Sequence, residues 1–536
     1  MPFQLSLNHN LHYSEVFAQR SPIIIIQNVI SAIFGMMGMY FIIKFIGTTD
    51  WGFLAFGLGF VGIFSIVGDL GFSTAHTIMI SNGEDIGECN ATYLSVKLIM
   101  GVAFSGMVFL ALFVWIYVLH RGFQSDVEYW VIIALIPYFF FKNLTVFSST
   151  YYIATLKSVR NAIPPLIEAV FRNSVFVGMA LLIGMNPGYY GYVDAMYLAI
   201  VYSFSYGLYF LVSIWLGRPW KIGKASRKMV KKYSVIAFPL IFALSVGSIS
   251  GNIDKVIIQF YWHAVPTGAF YSAQQIAGII TTLSASMSVF FVPLLIRYER
   301  TSGKLKHNES ILEFERLISL YTLPLVVPLS VLSPFVMNFF TVDYIPYGFM
   351  LSLLAWRAYF TAINTPYNSS IISRKKTKLI AVVDTVLIIL NIFLIFLLVP
   401  PLFFGTSSLS QGPFGAAYAM LFSGIASFAI YRIIVIKLEN IKPNYLLLRQ
   451  AIPALFQAVS LWGMEMVVTP KDVLILIPMG IVSIGVYFLS SIAVRETTGG
   501  ELVKIVKNFV PGKIRTRFRD ENSPENEIIE FQEDEN

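Results

Sequence analysis

The sequence predicts an all-α polytopic membrane protein, and three observations carry that prediction. Apolar residues make up 56% of the 536-residue chain and charged residues only 13%, with a mean hydropathy of +0.70, whereas soluble domains run nearer a quarter charged. Apolar stretches of about 20–29 residues recur from end to end, each long enough to cross a bilayer core as a helix. They are too long, and alternate too little, to be membrane strands.

Fourteen spans follow in order: 22–46, 52–80, 91–118, 130–155, 163–184, 192–216, 233–260, 267–296, 315–340, 348–372, 378–400, 413–436, 448–468 and 472–494. The first begins near Pro22 after a polar leader with no small-residue cleavage site behind it, so no cleavable signal peptide is expected. The last two are parted only by a tight turn at Thr469 and Pro470. Lys and Arg orient the set. The connection after span six carries Arg218, Lys221, Lys224, Arg227, Lys228, Lys231 and Lys232, and that after span eight Arg297, Arg300, Lys304, Lys306 and Arg316. Arg374, Lys375, Lys376 and Lys378 follow span ten, and Lys437, Lys442 and Arg449 follow span twelve. Connections 261–267, 341–347 and 400–412 have neither residue, so the even connections and both termini are expected in the cytoplasm. The formal charge of +8 therefore fits loops against anionic membrane lipids, and no nucleic acid is expected as a partner. Beyond Ser491, GGELVKIVKNFV reads either as a short basic amphipathic helix on the inner leaflet or as a frayed end of span fourteen. An acidic tail that packs no core begins at Asp520.

The chain repeats internally. WGFLAF at Gly52 recurs as GAFYSA at Gly268, and the same offset of 216 carries Arg160 to Lys376 and Glu168 to Asp384. Two six-span units shifted by an even number of helices share one orientation, which makes this a parallel repeat about the membrane normal. The expected organisation is an N-lobe at 1–216, a C-lobe at 217–440, two further helices at 441–494 and a cytoplasmic tail at 495–536.

Charges inside the spans are the next signal. Each costs roughly 2.5–3.5 kcal/mol on insertion scales if it faces lipid, so a polar interior is required. Lys44, Lys97 and Asp194 fall near span ends, where snorkelling accounts for them. Glu168 and Arg172, four apart, either neutralise one another or serve a ligand. Lys142 and Arg357 lie deeper, in the fourth span of each half, as anion contacts. Asp254 and Lys255 are adjacent and diverge by about 100° on a helix, so they are not expected to pair. Asp69 and His76 share a face about 10 Å apart along a continuous helix, with Gly68 and Gly71 permitting close packing or a bend. Against chemistry, the six histidines never fall at metal-ligand spacing and no nucleophile motif occurs. Cys89 is the single cysteine, which excludes an intrachain disulfide. No enzyme and no cofactor is expected.

Three ordered segments then resemble the polysaccharide and oligosaccharide flippases of the multidrug/oligosaccharidyl-lipid/polysaccharide exporter superfamily. These are WGFLAF with GDLGFSTAH in span two; NIDKVIIQFYWHAVPTGAFYSAQQI at 252–276; and Asn391, Pro400 and Gly415–Ala417. The match covers about residues 15–440. The resemblance implies two six-helix lobes around a central cavity that opens alternately to either face of the cell membrane. It also implies outward flipping of a polyprenyl-diphosphate-linked glycan for cell-surface glycan or glycoprotein synthesis, with glycosyltransferases or a polymerase of the same pathway as partners. Arg20, Lys142, Arg172, Lys255 and Arg357 would hold phosphate, and Tyr271, Gln274 and Gln275 the sugar. Asp69, His76, Asp254, Glu168 and Asp384 would gate or couple, with H+ or Na+ as the open choice of ion, and Asp69 reads equally as a structural carboxylate bonded to a neighbouring helix. His76 stands where the family commonly has an Arg, which would make that cation pH-dependent. Two departures count. Span one lacks the carboxylate of many drug antiporters, and span eight has no basic residue before Arg297, so lipid II is not assigned. The alternatives are a cation-coupled multidrug antiporter using Asp69, Asp254 and Asp384, and a membrane glycosyltransferase or polymerase, for which no catalytic loop is found.

Overall fold

The protein is described here by a computed structural model covering residues 26–118, 120, 122–155, 157–185, 194–218, 220–301, 303–374, 376–403, 406–407, 409–439, 441, 446–468 and 473–497. Its helices are α1 (Ile26–Phe45), α2 (Thr48–Ile63), α3 (Phe72–Ser81), α4 (Ile86–Phe113), α5 (Asp126–Ala154) and α6 (Ser158–Met185). Then come α7 (Ala195–Leu216), α8 (Arg227–Ser250), α9 (Ile253–Trp262), α10 (Ala264–Thr301), α11 (Gly303–Val331) and α12 (Ser333–Phe340). The remainder are α13 (Gly348–Ile363), α14 (Thr365–Ser373), α15 (Thr377–Leu398), α16 (Pro413–Glu439), α17 (Leu446–Val467) and α18 (Val473–Ala493). One short antiparallel pair, Leu402–Phe403 with Thr406–Ser407, follows α15. The protein is thus an all-α polytopic membrane protein. Helix occupies every one of the fourteen expected spans, and ten segments among the described residues are long and apolar enough to cross a bilayer.

Four spans are broken, which periodicity alone does not reveal. Span two leaves α geometry in a 3-10 turn at Phe64–Gly68 and resumes at α3 after Leu70 and Gly71, with φ of 47° and 84°. Gly71 tolerates that left-handed conformation because it has no Cβ. Span seven breaks at Gly251 and Asn252, between α8 and α9. Spans nine and ten break at Leu332 and Asn364, where Pro334 and Pro366 open the next helix. The continuous helix assumed between Asp69 and His76 therefore does not exist. The basic connection expected at 297–314 is also helical, since α10 runs to Thr301 and α11 begins at Gly303.

The two WGFLAF-like segments meet. A Cβ on Gly52 would lie 2.0 Å from the Ala264 carbonyl oxygen, and one on Gly268 3.1 Å from the Thr48 oxygen and 3.2 Å from the Gly52 nitrogen. Trp51 Nε1 donates to Ser272 Oγ at 2.9 Å beside this contact. A single buried core runs through this end of the bundle and joins both halves, taking in Leu54, Ile132, Leu198, Phe270, Met350 and Ala416. At the opposite end the cores are separate, one around Tyr93, Phe147 and Tyr233 and another around Ile311, Tyr367 and Tyr431. α8 is shared: Tyr233 and Lys232 bond His76 and Glu84 of the first half, while Ser250 donates to Asn391 on α15 at 3.0 Å. Residues 1–25, which include Arg20, and the tail beyond 497 lie outside the described residues.

Gly52→Val is expected to destabilise the protein by about 1–3 kcal/mol through overpacking against backbone that cannot yield. Gly106→Ala, which meets no heavy atom within 4 Å, is expected to be neutral. Thermal unfolding in detergent compares the two; equal melting temperatures would contradict the packing described.

Candidate functional site

The interior polarity that the composition demands is organised as a track crossing the interface between the halves. Its first part is built by α5, α6 and α7. Glu168 and Arg172 sit one turn apart on α6, and Arg172 Nε donates to Glu168 Oε1 at 2.6 Å. Ser205 on α7 donates to the same oxygen at 3.2 Å. The guanidinium lies 4.5 Å from the ring centre of Tyr202 and 5.9 Å from that of Phe176, within cation–π range. Tyr138 on α5 meets Tyr202 and Tyr206 edge-on, at 5.4 and 4.6 Å. One turn along α5, Lys142 Nζ stands 5.5 Å from the Tyr138 ring and 5.3 Å from Phe139.

Tyr271 of α10 carries the track across. It neighbours Tyr202, Tyr138 and Arg172 on one side. On the other its ring centre is 5.3 Å from that of Trp51, and Lys255 Nζ is 6.0 Å from it. Gln275 donates to the Tyr271 hydroxyl at 3.2 Å. Lys255 also donates to Asp254 Oδ1 at 3.2 Å and to the Gly251 carbonyl at 3.1 Å, with both side chains buried. The expectation that these neighbours do not pair is thus overturned. Both lie in the first turn of α9, where the Asp254 carboxylate turns to accept from the Lys255 backbone N–H at 2.8 Å and the long lysine stem folds back to the same oxygen, so they pair although their Cβ directions diverge. Gln274 donates to Asp254 Oδ2 at 3.4 Å, then lines a small cavity with Gly278, Thr281, Leu354 and Arg357. Arg357 makes no hydrogen bond or ion pair with any described residue; Asp254 acts on it only through charge. A guanidinium unpartnered among the described residues, three further cations (Lys142, Arg172 and Lys255), amides and tyrosine hydroxyls along one path suit an anionic head carrying hydroxyl groups.

Other expected site residues lie elsewhere. Asp69 is bonded to Lys97 at 2.5 Å, and Lys97 is fully buried. Snorkelling at a span end does not describe it, because α4 turns this lysine toward the break in span two rather than toward the interface. His76 is also buried: it stacks on Tyr93 at 4.1 Å and shares a hydrogen bond with the Tyr233 hydroxyl at 3.0 Å. Asp384 accepts from Tyr431 at 2.6 Å, away from the track. Sequence reading missed Tyr138, Tyr202 and Tyr206. Their signal was present, since Tyr138 and Tyr202 each have a partner four residues on, Lys142 and Tyr206, but nothing in one sequence sets α5 beside α7. Among the described residues no three metal-binding side chains converge.

Broken helices and a polar interior path through a bundle with ten membrane-length segments among the described residues define a transporter-like integral membrane fold. Residues 17–299, more than half of the chain, match the polysaccharide biosynthesis protein family, and the chain belongs to that family. No curated protein matches it. The fold is similar to that of lipid II flippase MurJ in an inward closed conformation, with a TM-score of 0.68 at 18% identity over 88% of this chain and 98% of that one. It is also similar to a multidrug resistance MATE family transporter of the MOP superfamily in an inward-facing conformation, with a TM-score of 0.54 at 13% identity over 77% of this chain and 96% of that one. The resemblance read from the sequence is therefore correct at the level of family and fold.

Glu168→Gln is expected to cost about 2 kcal/mol, because it leaves the Arg172 guanidinium without its charged partner. Adding Arg172→Gln should cost less than the sum of the two single changes. Additive losses in thermal unfolding would show that the two side chains do not act as a pair.

Proposed function

We propose that the protein flips a polyprenyl-diphosphate-linked oligosaccharide or polysaccharide repeat unit across the cell membrane by alternating access. Membership in the polysaccharide biosynthesis family and the likeness to flippase and exporter folds support an export role. The observation that carries the substrate class is Arg357, a cation with no partner among the described residues, facing the Gln274–Thr281 cavity at the end of the aromatic track. In this reading Arg357, with Lys142, Arg172 and Lys255, takes the diphosphate, while Tyr271, Gln274 and Gln275 take the sugar and the prenyl tail stays in lipid. Arg20 would add a cation from the N-terminal segment. Glu168 and Asp254 hold Arg172 and Lys255 in place until the anion competes for them.

We further propose that the end bearing the basic connections faces the cytoplasm, with both termini on that side and the lobes divided near residues 216 and 440. The track then closes outward through the shared core, and movement of one lobe against the other exposes it to the opposite face. The drug-antiporter alternative requires free titratable carboxylates. Asp69, Asp254 and Asp384 are instead held by Lys97, Lys255 and Tyr431, which weighs against it.

Depletion of the protein is expected to trap a lipid-linked glycan on the inner leaflet, read by leaflet-specific labelling. Normal outward appearance of every such glycan would overturn the proposal. Arg357→Ala is expected to reduce outward flux by about tenfold or more, and Arg357→Lys by less, at an unchanged amount of folded protein.

A further inference from the structure

Lys97 is the most completely enclosed cation among the described ion pairs, with a side chain at 0% exposure. Its ammonium donates to three oxygens: Asp69 Oδ1 at 2.5 Å, Asn143 Oδ1 at 2.8 Å and the Gly68 carbonyl at 3.1 Å. That is the full donor complement of an ammonium, and every partner is an acceptor. The Tyr93 ring lies 5.5 Å from the same nitrogen.

Each oxygen is presented by a separate feature of the fold. The Gly68 carbonyl is released because span two leaves α geometry there: Phe72 N, its partner in a continuous helix, bonds the Asp69 carbonyl at 2.9 Å instead. Asp69 is steadied by Ser73, which donates from its hydroxyl to Oδ2 at 2.7 Å and from its backbone N–H to Oδ1 at 3.3 Å. Asn143 is set by its own amide, which donates to the Lys97 carbonyl at 3.3 Å and so aims its oxygen at the ammonium. Gly68 leaves room for it, since a Cβ there would lie 3.1–3.4 Å from the Asn143 side chain. A carboxylate, an amide oxygen and an unwound backbone carbonyl are hard ligands of the kind that bind alkali cations at broken membrane helices.

We propose that Lys97 is a tethered cation. Its ammonium occupies an oxygen-lined seat that, once the lysine side chain is removed, binds a small monovalent cation such as Na+ or an alkylammonium. The N-terminal half thus carries its own built-in cation, balanced by the Asp69 carboxylate, at the break in span two. Asp69 takes no soluble coupling ion, and any ion dependence of the protein arises elsewhere. Lys97 acts on the position of Gly68, Asp69 and Asn143, and is a positioning residue. The inference does not depend on what is transported, and its test reads stability alone.

The full-length protein is melted in detergent with NaCl, ethylammonium chloride or N-methylglucamine chloride at equal ionic strength. Wild type is expected to melt at the same temperature in all three. Lys97→Ala is expected to melt lower in N-methylglucamine, and to recover by about 3 °C or more in Na+ or ethylammonium. The double variant Lys97→Ala/Asp69→Ala, which lacks the seat's charge, should show no such recovery. Lys97→Gln keeps two N–H donors on a side chain one atom shorter, without the charge, and is expected to be less stable than wild type. A Lys97→Ala protein that gains no more from small cations than wild type or the double variant overturns the proposal. So does a Lys97→Gln protein as stable as wild type, which also decides the matter if Lys97→Ala does not fold.

Discussion

The backbone contact between α2 and α10 is the constraint on which the rest of the structure depends. Gly52 and Gly268 let the two helices approach until one backbone touches the other, and the distance between the halves follows from that approach. Trp51 and Tyr271 then come within ring contact, and Tyr271 reaches Arg172 and Tyr202 on one side and Lys255 on the other. Larger residues at the two glycines would separate the helices and divide the track into two disconnected clusters. The same contact extends the shared core through one end of the bundle, while the other end keeps two cores.

Hydrocarbon provides no solvent for a charge, so each buried one must be met by protein. The chain does this in several ways. Arg172 has a carboxylate and an aromatic ring, Lys97 has three oxygens, Lys255 has its sequence neighbour and a freed carbonyl, and Asp384 has a tyrosine hydroxyl. Two of these solutions use broken helices, where the carbonyl oxygens of Gly68 and Gly251 accept from a lysine ammonium. Arg357 is met by none of these devices among the described residues, which is why it anchors the functional proposal.

α8 links the two halves at the end where their cores are separate. Its first turns rest on the first half through His76, Tyr233, Glu84 and Lys232, and its last turn rests on α15 through Ser250 and Asn391. The His76–Tyr233 contact is a buried polar bond inside an aromatic cluster. That position places His76 in the packing of α8, off the proposed anion path.

Composition and spacing determined a good deal unaided. Apolar stretch length specified the helical membrane class and placed helix at each expected span, and the Gly52–Gly268 offset marked the two segments that prove to touch. The i,i+4 spacing of Glu168 and Arg172 anticipated their pairing. What the chain alone did not determine was where helices break and what they face. A one-dimensional pattern reports distance along an axis, and rotation about that axis is decided by the neighbouring helices. Lys97 therefore read as a snorkelling residue and Asp254 and Lys255 as divergent neighbours, while Tyr138, Tyr202 and Tyr206 went unmarked. Only the packed bundle brings α4 to the break in span two and α5 to α7, because a buried charge selects its partner by proximity in space.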